Sequence, residues 1–315
     1  MVAALRTKGK HGVVFLARGA SSGDGTGLDA ARDFFASYQA HPAGLEHELI
    51  VAAKAWNNAD RCELGALAAR YGATIIDLPD DGYDWAAYGR AAQRLSHEKL
   101  CFFNTHSRIQ AHDWLVKLNA GLDMRGVAAA GATGSWGTVA PVFRFVAPSA
   151  IDIGRNRGWL RGAYSLTHGY ALFPLRRMLA ARRFPQFPNP HLRSNAFIIA
   201  RSLFQEFMAR SDVPRSKHDA FALESGRNGL SRFFNAKGLR PVVVTANGRT
   251  VDASAWDDCG VFRCPGQPAL MVNDNQTRAY DATTGDVRRV MERAAWGRTF
   301  TPAEAQSKLV ANLLS

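Results

Sequence analysis

Five short apolar runs occupy the first 130 residues, and each of the first four is followed by a stretch of helical periodicity. Val13–Ala17 leads to a predicted helix over about Leu28–Tyr38, and Glu48–Ala53 to one over Cys62–Tyr71. The run inside "GATIIDLP" leads to "WAAYGRAAQRLS", Leu100–Phe103 to a helix over Asp113–Leu122, and Val127–Ala130 follows as a fifth strand. Strands separated by helices at this spacing pair in parallel, because the returning chain must cross a face of the sheet. The expectation is an α/β layered fold. In open sheets of that kind ligands settle outside the carboxyl ends of the strands, where Arg18, Asp81, Asn104 and His106 fall. A basic stretch, about 150–190, interrupts the alternation. "HLRSNAFIIARSLFQEF" then resumes it with a short strand and a helix, and "RPVVVTANG" reads as a strand and turn. Beyond about Arg249 little pattern is visible before a final helix, Pro302–Leu314. No internal repeat is evident.

With 315 residues the chain can bury one large core, or one core with an appendage. No stretch of about 18 apolar residues occurs, so no membrane-spanning helix is expected. Val13–Ala17 is too short for the apolar region of a signal peptide and reads as a buried strand. The four cysteines, Cys62, Cys101, Cys259 and Cys264, are scattered. Only Cys259 and Cys264 approach ligand spacing, with no second pair to complete a zinc site. They read as reduced thiols of a cytoplasmic protein. The net charge of +12 calls for an anionic partner: nucleic acid, a phosphorylated substrate or the inner membrane face. A generally arginine-rich composition is the plain alternative, but the charge is concentrated. Between Ile151 and Pro190 stand seven arginines and one acid, Asp152, interleaved with Trp159, Tyr164, Tyr170, Phe173, Phe184 and Phe187.

Three loops at predicted strand ends carry the polar groups. "GASSGDGTG" follows the first strand but matches neither the Walker pattern nor the dinucleotide fingerprint, and reads as a strand-to-helix connection. "LPDDGYDWAAY" places Asp80, Asp81 and Gly82 in a turn and Asp84 at a helix start, where it is able to cap. Three carboxylates within five residues also suit the hydroxyls of a ribose or sugar. In "LCFFNTHSRIQAHDWLVKL" the apolar run stops at Asn104-Thr105-His106-Ser107, with no carboxylate before Asp113.

Taken in order, "DGYDWAAY", "CFFNTHSRIQAHDWL", "GATGSW", "NPHLRSNAFII" and "FALESGRNGLSR" resemble the bacterial family 2-like glycosyltransferases, which build cell-surface polysaccharides. The second segment is similar to that family's apolar strand, "LNSD"-type motif and downstream Trp-Leu helix. The resemblance spans about residues 10–240. It implies a GT-A type, Rossmann-like mixed sheet flanked by helices over 1–245, with a C-terminal extension over 246–315. It also implies a nucleotide-sugar donor held by the N-terminal half and a surface-glycan or lipid-linked acceptor held by the C-terminal half. Donor-side residues would be Arg18, Asp81, Gly82, Asp84, Asn104 and His106.

The family's metal motif would fall on Asn104-Thr105-His106, and here the chain departs from the pattern. A hard dication wants oxygen anions, which Asn and His do not supply. Three readings stay open. His106, with Arg18 or another arginine, serves the leaving diphosphate without metal; His106 weakly ligates manganese; or the domain is inactive and only binds an anionic glycan or nucleic acid. No cofactor, or else a divalent cation (Mn or Mg), is expected accordingly.

Inverting members use an acidic base, for which Glu224 is the first choice and Asp219 the second. Gly226 would permit the sharp path of a site loop. The plain alternative pairs Glu224 with Arg227 or Arg232 on the surface. His191, Arg193 and Asn195 would share one strand face and, with Arg227, contact the acceptor or its phosphate. Thr133 and Ser135 would line the sugar pocket. Arg176, Arg177, Arg182 and Arg183, beside Phe173, Leu175, Leu179 and Phe184, read as an interfacial helix end. Each basic group near anionic lipid is worth about 1 kcal/mol, so a peripheral position on the inner membrane is expected. Stacking on bases is the other use of such residues, but no recognised nucleic-acid module surrounds them.

Overall fold

A computed structural model describes residues 9–19, 27–301 and 304. All of the predicted helix Pro302–Leu314 except Glu304, and most of the "GASSGDGTG" loop, lie outside the described residues. The first half runs β1 (His11–Arg18), α1 (Gly27–Ala40), β2 (Glu48–Lys54), α2 (Asn58–Arg70), β3 (Thr74–Leu78), α3 (Tyr83–Arg94), β4 (Lys99–Phe103), β5 (Arg108–Ile109), α4 (Trp114–Leu122), β6 (Val127–Gly131) and β7 (Gly134–Ser135). Three helices follow, α5 (Phe143–Arg157), α6 (Trp159–Ala171) and α7 (Phe173–Ala181). The chain then forms β8 (His191–Leu192), β9 (Phe197–Ala200), α8 (Arg201–Ala209), α9 (Lys217–Ser225), α10 (Leu230–Ala236), β10 (Arg240–Val244) and β11 (Thr250–Asp252). After a 3₁₀ turn at Ala253–Asp258 come β12 (Val272–Asn273), α11 (Asn275–Ala282) and α12 (Gly285–Trp296).

Eight strands form one mixed sheet in the order β11-β10-β6-β9-β4-β1-β2-β3. The parallel pairing expected from the spacing holds for β1 with β2 and β4, for β2 with β3, and for β6 with β10. β9 enters antiparallel between β4 and β6. The protein is therefore an α/β fold with a mixed sheet flanked by helices. Its strands read as unbroken apolar runs because both faces are covered. Val13, Phe15 and Ala17 pack with Phe34, Phe35 and Trp114 on one side, while Val14 and Leu16 pack with Trp85, Tyr88 and Phe204 on the other. Fully burying each large apolar side chain is worth about 1.5–3 kcal/mol, which is why this sheet gives the site a stiff base.

Two expectations are corrected here. His191, Arg193 and Asn195 do not share a strand face, because β8 ends at Leu192 and β9 begins only at Phe197. Between them the chain turns at Ala196 (φ 51°), and the Ser194 amide is taken by a Glu224 carboxylate oxygen at 3.0 Å. Second, the stretch after about Arg249, expected to show little pattern, is patterned among the described residues and packs into the main core. β11 is an edge strand of the large sheet, β12 pairs with β5, and Trp256 and Trp296 are buried in the same cluster as Val14. All four cysteines are free thiols.

Because β9 is antiparallel, its amino end lies at the same sheet edge as the carboxyl ends of β1, β2 and β4. Arg193 and Ser194 thereby line one cleft with Arg18 and Asn104, from sequence positions far apart.

Candidate functional site

That edge opens into a cleft of about 350 Å³, and six of the expected residues line it: Arg18, Asp84, Asn104, His106, Arg193 and Glu224. It shares Arg18, Tyr83 and Asp84 with a wider opening of about 600 Å³ over the ends of β1, β2 and β3. Both volumes lie in the range of small-molecule sites.

The loop after β4 is built by its own asparagine. Asn104 Oδ1 accepts from the His106 amide (3.0 Å) and the Ser107 hydroxyl (3.0 Å), which ends the strand in a tight Asx turn. Arg278 of α11 donates to the His106 carbonyl (3.0 Å) and fixes the loop from the far side. Burial lowers the His106 pKa, and the Arg278 charge lowers it further against Asp274. Both effects favour the neutral imidazole, which is able to give or take a hydrogen bond. Positive charge in the cleft comes from Arg18 and Lys217.

Across from this loop, Gly82 starts α3 in the left-handed region (φ 63°), and a Cβ there would lie 2.3 Å from the Ala86 Cβ. Only glycine fits, and it takes the capping position expected of Asp84. Asp84 enters the cleft instead. Burial raises its pKa; Lys54 and Arg18 oppose that rise and Glu224 adds to it. Lys54, 3% exposed, donates to the carbonyls of Asp81 (3.1 Å) and Tyr83 (3.3 Å) and lies 3.4 Å from Asp80. This one ammonium ties three residues of the β3–α3 loop together. Asp81 is paired with Arg90 of α3, which keeps its carboxyl below the usual range, and it faces the wider opening together with Gly82.

Glu224, with its side chain 17% exposed, stands in the cleft wall near the end of α9. One oxygen accepts from the Ser194 amide, and the other is 3.9 Å from His191 Nε2. The surface pairing with Arg227 or Arg232 does not occur: Arg227 Nε donates to the Ala181 carbonyl, and Arg232 reaches Asn189. Gly226 matters for close approach rather than for its torsion. Its φ is −76°, but a Cβ would come within 2.4 Å of the Ala222 carbonyl oxygen.

Six expected residues lie elsewhere. Asp219 closes a capping box with Ser216 at the start of α9 and pairs with Arg183, whose hydrogen bond, with those from Ser216, holds its pKa at about 2. Asp219 and Arg227 both line a separate basic opening of about 740 Å³. Asn195 is buried behind the cleft, accepting from Ser107. His191 is buried behind Glu224; burial lowers its pKa more than Glu224 raises it, and its Nδ1 faces the Asn189 carbonyl at 2.8 Å. Ser135 lines a small side opening beside Glu224, while Thr133 is fully buried, 3.4 Å from Arg193.

Sequence reading missed Lys54, Lys217, Asp274 and Arg278. Lys54 had a signal, a charge closing an apolar strand at the ligand edge. Asp274 had one too, the "DNQT" capping pattern. It caps α11 through the Gln276 and Thr277 amides and binds Arg193 at 2.8 Å. Burial would raise its pKa, but the Arg193 charge and these hydrogen bonds win and hold it low. Arg193 also lies over the Phe262 ring, 4.2 Å from its centroid. Thus the last quarter of the chain closes the cleft.

A divalent cation does not fit Asn104, His106 and Asp274. The Asn104 oxygen is spent on its own turn and the Asp274 carboxylate on Arg193 and a helix cap. Among the described residues no three His, Cys, Asp or Glu side chains come together as a metal-binding group. Cations of this kind demand several free oxygens, which these three side chains do not offer.

No protein-family model matches the chain. No curated protein matches it either. Among solved structures it is similar to glucosyl-3-phosphoglycerate synthase from Mycobacterium tuberculosis in complex with Mn²⁺, UDP and phosphoglyceric acid. The identity is 15%, with 62% of this chain and 56% of that one covered, at a TM-score of 0.33; the chain thus spans little more than half of that enzyme. A mannosyltransferase from Pyrobaculum calidifontis in complex with GDP-Man and Mn²⁺ is 12% identical over 97% of this chain and 75% of that one, with a TM-score of 0.44. 4-Diphosphocytidyl-2C-methyl-D-erythritol synthase from Anaerococcus prevotii is 11% identical over 74% and 87%, with a TM-score of 0.38. Likeness at this distance does not say what the cleft binds; its side chains must.

Proposed function

We propose that the protein is an inverting, metal-independent glycosyltransferase that moves a sugar from a nucleotide donor to a hydroxyl of a surface-glycan or lipid-linked acceptor. One observation carries this reading: Glu224 and Asp84 share a ligand-sized cleft with Arg18, Lys217 and His106 at the carboxyl edge of the sheet. In the proposal the nucleoside occupies the wider opening beside Lys54 and Asp81, with the diphosphate between Arg18, Lys217 and His106. Asp84 accepts hydrogen bonds from sugar hydroxyls. Glu224 takes the proton of the acceptor hydroxyl as its oxygen attacks the anomeric carbon. The bond to the diphosphate breaks on the opposite face, and its electron pair leaves on the phosphate oxygen. Arg18 and Lys217 oppose the charge that develops there, and a His106 N–H hydrogen-bonds to it. The Ser194 amide keeps Glu224 oriented.

The competing reading, a domain that only binds an anionic glycan or nucleic acid, draws on the basic opening lined by Arg182, Arg183, Arg215 and Arg227. Calorimetry with nucleoside diphosphates, then turnover across a panel of nucleotide sugars in chelator, separates the two. Under the transferase reading a nucleotide binds, turnover survives chelation, and Glu224→Gln lowers kcat by roughly 10²–10⁴ with donor affinity unchanged. Salt-sensitive oligonucleotide binding with no nucleotide affinity would reverse the choice. Undiminished turnover in Glu224→Gln would remove the base.

A further inference from the structure

We propose that the arm formed by α5, α6 and α7 docks on an anionic bilayer surface, with the α5–α6 turn and the outer face of α6 entering the headgroup layer. This inference rests on the arm alone and not on the reading of the cleft. α6 buries only Gly162 along its 13 residues, and α7 only Phe173 along nine. Of the 17 large apolar side chains exposed among the described residues, 11 lie between Phe143 and Leu179. The most exposed are Trp159 (75%), Tyr164 (66%) and Leu160 (65%), at the turn made by Gly158 and the first half of α6. Apolar exposure concentrated in this way marks an interaction surface.

The arm is held firmly, so this face is presented rather than loosely displayed. α6 crosses α5 where Gly162 meets Gly154; a Cβ on Gly162 would lie 2.6 Å from the Gly154 Cα. α5 is tied to α12 through buried Asp152, which pairs with Arg293 and lies 3.5 Å from Arg289. Asp152 is the only acid from Phe143 to Arg183, against eight arginines. With that acid turned inward, the outward charge of the arm is positive throughout. The structure also moves the interface expected from sequence: Phe173 and Phe184 are buried in the protein, while Trp159, Leu160 and Tyr164 on α6 are more exposed than Leu175 or Leu179.

Charge and side-chain chemistry select the occupant. A second copy pairing through this face would set the same arginines against each other. Nucleic acid offers nothing to Leu160, Leu175, Met178 or Leu179. A bilayer with anionic headgroups answers both, since indole and phenol rings suit the interfacial layer and arginines its charge. No helix among the described residues is long and apolar enough to cross a membrane, so the arm would lie on the surface.

The test is co-sedimentation of the full chain with phosphatidylglycerol/phosphatidylcholine vesicles and with phosphatidylcholine vesicles, alongside light scattering. Binding to the anionic vesicles is expected, weakened by salt and about fivefold for each of Arg155→Gln, Arg157→Gln and Arg161→Gln. A Trp159→Ser/Leu160→Ser variant should lose binding while keeping its melting temperature, because both side chains are exposed. Equal binding to neutral vesicles, or none to either, would overturn the proposal. So would a dimer that Trp159→Ser dissociates in a protein that ignores vesicles, or oligonucleotide binding in one that does. Nucleotide calorimetry on the same samples keeps the two readings apart, since vesicle binding without nucleotide binding sinks only the transferase.

Discussion

Replacing Arg193 by Met tests whether the C-terminal residues hold the cleft wall by charge. The Arg193 and Asp274 side chains are 8% and 0% exposed and meet at 2.8 Å. Methionine keeps much of the apolar stem against Phe262 but leaves Asp274 buried and ionised, with only the Gln276 and Thr277 amides as donors. Breaking a buried pair from one side costs about 3–5 kcal/mol, a fall in Tm on the order of 10 °C for a chain of this size. Asp274→Asn added to Arg193→Met keeps a capping oxygen and removes the stranded charge, so the double variant should recover about 2 kcal/mol of the loss. The sign with pH follows from Asp274, whose folded pKa is held below its unfolded value. Its contribution is full above about pH 4, near the unfolded value for aspartate, and is lost as pH falls through the lower folded value. The gap between native protein and Arg193→Met should therefore be widest near neutrality and narrow in acid. Thermal unfolding followed by circular dichroism at pH 7 and in acid measures this. A single variant melting within about 2 °C of the native protein at pH 7 would refute the reasoning, as would a double variant less stable than the single.

Other outcomes are as specific. Asp84→Asn should raise Tm near neutrality, since burial makes its ionised form costly there, and the gain should vanish below about pH 4, where the aspartate is protonated folded or unfolded. The same variant should weaken donor binding roughly 10- to 100-fold through one lost charge-assisted hydrogen bond; an unchanged affinity would take Asp84 out of the sugar site. Lys54→Met strips the donor from the Asp81 and Tyr83 carbonyls. It should cost about 1–3 kcal/mol and expose the β3–α3 loop to proteolysis, and native resistance to protease would show that the loop holds itself.

The alternation of apolar runs and helices was legible from residues alone, because periodicity and burial on both faces are properties of neighbours along the chain. That placed β1–β4 and their loops, and with them Arg18, Asp81, Asn104 and His106 at one edge. Which carboxylates face the cleft was not legible. Asp219 and Glu224 lie five residues apart on one helix, yet Arg183 and Ser216 draw one outward while the Ser194 amide holds the other inward. Nor did local pattern foretell that β9 would enter antiparallel, or that Asp274 would cross from the chain's last quarter to Arg193. A side chain's partner is set by whichever group the packed sheet brings across from it, a long-range outcome, whereas strand and helix are set within a few residues.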